Sequence, residues 1–153
     1  MNQEIKKAWL EALRNGKYKQ TQYILSSQKG AEQEYCCLGV LCELHRLKHN
    51  GVWTHKNSPV LPATPIAPSA IVTDEADVTP YESEGANNSL IKGYRYLGEK
   101  GRLPKEVGVW AGLGTFANCV DVTWNKQPYT LAGLNDRKHM SFKGIADVIE
   151  KEL

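Results

Sequence analysis

The stretch from Tyr35 to Leu47, reading YCCLGVLCELHRL, sets the tightest limit on how this chain folds. Cys37, Val40, Leu41, Leu44 and Leu47 recur at helical spacing and line one side, while Glu43, Arg46 and Lys48 fall on the other. A helix this apolar belongs in the centre of a core, so the remaining elements must pack around it. Gly39 inside that helix costs about 1 kcal/mol relative to alanine. A glycine there predicts a neighbour pressed close against the helix. Asn50-Gly51 then ends it.

Two more helices frame this one. Ile5, Ala8, Trp9, Ala12 and Leu13 give residues 2–15 one apolar stripe, closed by Asn15-Gly16 as a left-handed stop. At the far end Ser141 serves as N-cap, and Phe142, Ile145, Ala146, Ile149 and Leu153 form the stripe of a last helix. Between them the β-favouring Tyr18, Thr21, Tyr23 and Ile24 suit a strand or extended segment over 17–25, and 26–34 reads as a polar loop. Val52-Trp53 begins a short strand. Leu90, Ile91, Tyr94 and Leu97 predict a helix over 89–97, and Leu103-Pro104 opens a short helix through Trp110. Residues 118–124 alternate as a strand does; Thr130 to Leu134 suits a short helix and Asn135 to Met140 a turn.

Residues 54–90 are the irregular part. Pro59, Pro62, Pro65, Pro68 and Pro80 break any long helix, and only Ile71-Val72-Thr73 suits a strand. A Pro-rich loop of that length is either functional or disordered. At 153 residues, with 41% hydrophobic and 24% charged residues, the chain fits one domain spanning 1–153. The expected class is α+β, a few short strands packed with the central Cys-rich helix and the two terminal helices.

Charge and cysteine usage narrow the setting. The net charge of +2 is too small for a dedicated nucleic-acid binder. The last helix would also set Asp147, Glu150 and Glu152 against phosphates, so DNA is not an expected partner. No apolar run is long enough to span a bilayer or to act as a signal peptide. Cys36, Cys37, Cys42 and Cys119 do not resemble a secreted disulfide framework, which points to reduced thiols in a cytoplasm.

The string Tyr35-Cys36-Cys37-Leu38-Gly39-Val40-Leu41-Cys42-Glu43-Leu44 resembles a hallmark of small accessory proteins encoded by tailed bacteriophages. So do Thr130-Leu131-Ala132 with Leu134-Asn135-Asp136, and Ser141-Phe142 with Ile145-Ala146-Asp147, Ile149 and Glu150. The opening (Trp9, Leu13, Gly16, Lys17, Tyr18, Gln20) and the Leu103-Pro104 to Trp110-Leu113 block are similar too. The likeness covers about half of the chain and thins out over 54–90. It implies a phage origin, a shared fold and the cytoplasm of a bacterial host, and it transfers no activity.

Four constellations bear on chemistry. Cys36 and Cys37 open a helix, where a thiol's pKa falls, and His55 or His139 would have to supply the base, with Asn135 or Asp136 to orient it. Buried structural cysteine is the commoner state of such residues. Cys42 and His45, three apart, are half a zinc site with no second pair to complete it, so no metal or other cofactor is expected. No phosphate-cradling glycine motif is present. Lys17-Tyr18-Lys19-Gln20 offers two cations, a ring and an amide, and Asn135-Asp136 offers donors and acceptors; together they suit a nucleotide-like ligand.

The expected function is therefore binding without catalysis: a phage accessory protein, of counter-defence type, that sequesters a host nucleotide signal or similar small molecule. Two readings stand beside it. One is a cysteine-dependent hydrolase or transferase using Cys36 or Cys37; the other is an inhibitor that binds a host protein. The chain is also compatible with assembly into a homo-oligomer.

Overall fold

The computed structural model describes residues 1–55, 92–114 and 120–153. Among these residues five helices and two small sheets make an α+β arrangement: α1 (Gln3–Arg14), β1 (Lys19–Gln20), β2 (Ser26–Lys29), β3 (Glu32–Tyr35), α2 (Cys37–His49), β4 (Trp53–His55), β5 (Lys92–Tyr96), α3 (Lys105–Trp110), β6 (Asp121–Trp124), β7 (Gln127–Thr130), α4 (Leu131–Asp136) and α5 (Phe142–Glu152). The proline-rich stretch, the Ile71-Val72-Thr73 strand, Leu90, Ile91 and Cys119 lie outside the described residues.

Helix α2 is the hub. Cys37, Leu38, Val40, Leu41 and Cys42 are all fully buried, and the helix packs against α1, α3, α4 and β3. From α1, Trp9 is buried and its Nε1 donates to the carbonyl of Cys37 at 3.0 Å. Gly39 meets the expectation of a close neighbour. A Cβ there would stand 1.8 Å from the backbone oxygen of Leu25, so the helix rides directly on the chain entering β2. Asn50, with φ 53°, supplies the left-handed cap that ends α2. At the other end Ser141 caps α5 by accepting from the Gly144 N–H, and the buried side of α5 carries Phe142, Ile145, Ala146, Val148 and Ile149.

The larger sheet has the order β1-β3-β2-β5-β4, with β1 parallel to β3 and every other pair antiparallel. Three sequence expectations fail here. Residues 26–34 form a hairpin rather than a loop: β2 pairs with β3 from Ser26↔Tyr35 to Lys29↔Glu32, turning at Gly30 with φ 63°. Serine, glutamine and glutamate have little intrinsic strand preference, so the ladder and burial of Ser26 and Ser27 decide the outcome. Lys92–Tyr96 is a strand rather than part of a helix over 89–97, because it is held on both sides by β2 and β4. Only Lys19–Gln20 of the segment 17–25 is strand; the chain then bends through Tyr23.

Helix α2 also differs from its expected pattern. Leu47 is 52% exposed, whereas Glu43 is buried, its carboxylate accepting from Arg46 Nε and Nη2 (2.8 Å each) and Trp53 Nε1 (2.7 Å). Three donors make that buried charge tolerable. The second sheet is a hairpin, β6 with β7, turning through Asn125 and Lys126 at positive φ. The sequence signalled β6 but not β7; residues 118 and 119 of the expected strand lie outside the described residues. Pro128 has no N–H, and the Thr123 N–H donates to Glu152, which helps blunt the hairpin edges. Among the described residues no helix is long and apolar enough to cross a membrane.

Candidate functional site

The two thiols that open α2 are shut away. Cys36 is the N-cap, its Sγ accepting from the Gly39 N–H at 3.3 Å, and Cys37 Sγ points to the carbonyl of Leu131 at 3.6 Å. Burial pushes the Cys36 thiol up to about 12, against the pull of the helix N–H groups. Burial likewise raises Cys37 and Cys42. Desolvation thus outweighs the helix terminus, and thiolate is scarce at neutral pH. Among the described residues no imidazole bonds to either sulfur. His139 is exposed and bonded to Gln22; the side chain of His55 lies outside the described set. No group of three or more metal-ligating side chains exists among the described residues. His45, beside Cys42 in sequence terms, spends its Nδ1 on the Tyr96 hydroxyl at 2.8 Å.

The lysine–tyrosine cluster is divided by the fold. Lys19 is ion-paired with Glu32 across the sheet. Lys17 lies over the Tyr18 ring, 5.7 Å from its centre. Tyr18 itself is half-buried, edge-on to Tyr35 at 5.4 Å, and burial raises its phenol. These three residues do not form a paired-cation cradle.

Gln20, Asn135 and Asp136 do come together, with neighbours that the sequence did not single out. Gln20 Nε2 donates to Asn135 Oδ1 and to the carbonyl of Met140, 2.8 Å each. Asn135, fully buried, donates from Nδ2 to the Thr21 carbonyl at 2.9 Å and to Asp136 Oδ1 at 2.7 Å. That same Oδ1 accepts the Tyr23 N–H at 2.9 Å, while the Tyr23 hydroxyl donates to the Asp136 carbonyl at 3.3 Å. Gln22 Nε2 and His139 Nδ1 stand 2.6 Å apart. Thus the chain leaving β1 and the chain leaving α4, more than a hundred residues apart, are stitched side chain by side chain.

On this knot sits Tyr23, 67% exposed and with φ 65°. A bulky residue in the left-handed region is uncommon and costs about 1–2 kcal/mol. His139 is also left-handed, at φ 50°. Tyr23 is thus bonded to Asp136, and His139 to Gln22, the residue before Tyr23. Gln20, Asn135 and Asp136 are the frame of this surface; Gln22, Tyr23 and His139 are its face. The β-favouring Tyr18, Thr21, Tyr23 and Ile24 suggested a strand or extended segment, and nothing local signalled the bend that exposes Tyr23.

No curated protein and no solved structure matches the chain. Residues 1–81, which carry α1, the β2–β3 hairpin, both thiols and the Gln20–Tyr23 half of this surface, match the family described as a domain of unknown function (DUF8296). The chain belongs to that family.

Proposed function

We propose that this is a non-catalytic binding protein whose ligand is a small host molecule of nucleotide type, used by a tailed bacteriophage as a counter-defence accessory in the host cytoplasm. The observation that carries the reading is Tyr23: an exposed ring, held left-handed by two hydrogen bonds to Asp136. A fixed aromatic face stacks a base with little ordering cost, because the loops are already pinned. The closed thiols support binding over cysteine chemistry, since a buried thiol held protonated is a poor nucleophile. The phage setting rests on the Tyr35–Leu44 and Thr130–Glu150 resemblances.

Thermal denaturation with a panel of linear and cyclic nucleotides tests this. A true ligand at a hundredfold excess over Kd adds about 2.7 kcal/mol to the folded state and raises the midpoint by several degrees. Tyr23→Ala should remove that rise. A panel that leaves the midpoint unmoved sinks the reading.

A second reading draws on a different surface. Leu47 in α2, Val52 just before β4 and Leu97 just after β5 are each at least half exposed, and α2 is joined to those strands by the Glu43–Trp53 and His45–Tyr96 hydrogen bonds. Apolar side chains left open suit a host-protein partner. Leu47→Glu and Val52→Glu would then abolish a stoichiometric complex isolated from host lysate while leaving nucleotide binding untouched.

A further inference from the structure

One imidazole is the meeting point of three elements. His45 sits in the second half of α2, and its Nδ1 stands 2.8 Å from the hydroxyl of Tyr96, the final residue of β5. Its ring also meets that of Trp110, the final residue of α3, edge to face with centres 5.1 Å apart. One turn further on, His49 stacks on His45 at 4.3 Å and lies edge to face with the same indole at 6.0 Å.

The buried hydroxyl decides which proton state this corner accepts. Tyr96 is fully buried, and among the described residues its hydroxyl bonds only to His45 Nδ1. The phenol hydrogen therefore needs Nδ1 as its acceptor, and the neutral imidazole keeps its own proton on Nε2. A second proton has to enter at Nδ1. It turns that atom from acceptor into donor and leaves the phenol hydrogen without an acceptor, away from water. The groups facing His45 act in both directions. His49, from α2 itself, opposes a second positive charge, Glu106 from α3 favours one, and Tyr96 from β5 is neutral. Glu43 and Arg46, on the same helix, are paired with each other. Burial and His49 prevail over Glu106, and the imidazole of His45 is held below its ordinary pKa.

We infer that His45 is an acid-sensitive clasp: neutral, it ties the end of α2 to β5 and α3, and protonated, it lets that corner loosen. A histidine whose folded pKa lies below its unfolded one binds its proton more tightly in the unfolded chain. Its contribution is complete above about pH 6.5 and is lost as pH falls through that value towards the folded pKa. Leu47, Leu97 and Val109, close in sequence to His45, Tyr96 and Trp110, are already at least half exposed, so loosening enlarges an apolar surface. The clasp stands apart from the Tyr23 surface and does not depend on the binding reading above.

Three measurements on the whole chain test it. Nitrogen NMR of the histidine side chains should show His45 titrating below about pH 6.5, with the neutral form protonated on Nε2. Titration at or above that value, or a neutral ring protonated on Nδ1, would overturn the clasp. Urea denaturation at pH 7.5 and 5.5 compares the parent with His45→Gln, in which an amide oxygen still accepts from Tyr96 and nothing titrates. Below pH 6.5 the folding equilibrium of the parent should lose up to about tenfold more per pH unit than that of His45→Gln, the limit for one proton. Equal acid slopes would sink the idea; if the variant does not fold, the NMR titration decides. Hydrogen exchange at pH 5.5 should show protection lost at the end of α2 and in α3 before α5. Simultaneous loss in all three helices would make the acid effect global and remove the clasp.

Discussion

The start of α2 and the knot at Asp136 use their residues in opposite ways. Cys36 and Cys37 are the most reactive residue types in the chain, yet both are buried, hydrogen-bonded to backbone and held protonated. Tyr23, Gln22 and His139 are ordinary surface residues, yet they are fixed in place by a buried asparagine, a carboxylate and two left-handed turns. Position, not residue type, decides which of them is left open to solvent. Burial withdraws chemistry from the thiols; a rigid frame lends it to the loop.

Gly39→Ala breaks the first region most severely. Its Cβ would overlap the Leu25 oxygen, a backbone atom that cannot swing aside, so α2 must leave the sheet. Urea denaturation should show a loss of about 3 kcal/mol or more, or no folded protein. Asn135→Leu strikes the second region. The Thr21 carbonyl and Gln20 amide lose their partner, and an unsatisfied buried group costs about 1–3 kcal/mol. The same variant should weaken any Tyr23-dependent binding, although Asn135 itself is fully buried.

Alkaline pH separates the two regions by charge. A thiol whose folded pKa lies above its unfolded one favours the folded state in full at low pH. Between the two values the unfolded chain has lost its proton and the folded chain has not, so stability falls as pH rises. For Cys36 this window runs from about 8.5 up to about 12. Each such thiol contributes a slope of about 1.4 kcal/mol per pH unit. Cys36→Ser keeps an N-cap oxygen and removes the titration, so its denaturation midpoint should fall less steeply between about pH 8.5 and 10, before the phenols begin to ionise. Equal slopes for the parent and Cys36→Ser would mean that the sulfur meets water.

Iodoacetamide gives the same comparison kinetically. In the native state Cys36 and Cys37 should react at least about tenfold more slowly than a free thiol, and at the free rate once urea unfolds the chain. Fast native alkylation would favour the cysteine enzyme over the binding reading. The smallest effect belongs to Tyr23→Gly. Relief of the left-handed strain, offset by the greater freedom of glycine when unfolded, should raise stability by about 0.5 kcal/mol. A gain in stability joined to a loss of binding would mark Tyr23 as a residue kept for display.

How much was legible in advance follows from the range of the forces involved. The stripes of α1 and α5, the Ser141 cap and the left-handed stops at Gly16 and Asn50 are local, and sequence spacing finds them. Gly39 was legible for the same reason: its cost in a helix demanded a close neighbour. Gln20, Asn135 and Asp136 stood out as polar groups beside turns, but as direct ligand contacts rather than as a frame. The β2–β3 hairpin, the strand at Lys92–Tyr96 and the buried Glu43 were not legible, because polar strands and a paired internal charge depend on partners elsewhere in the chain.

The sequence by itself determined that a Cys-rich helix sits at the centre of an α+β domain, since no other placement removes so much apolar surface from water. Only the tertiary structure decided that Tyr23 faces outward from a left-handed turn, because the hydrogen bonds that hold it there reach Asp136, over a hundred residues away. Local pattern encodes burial; long-range hydrogen bonding selects what is left exposed.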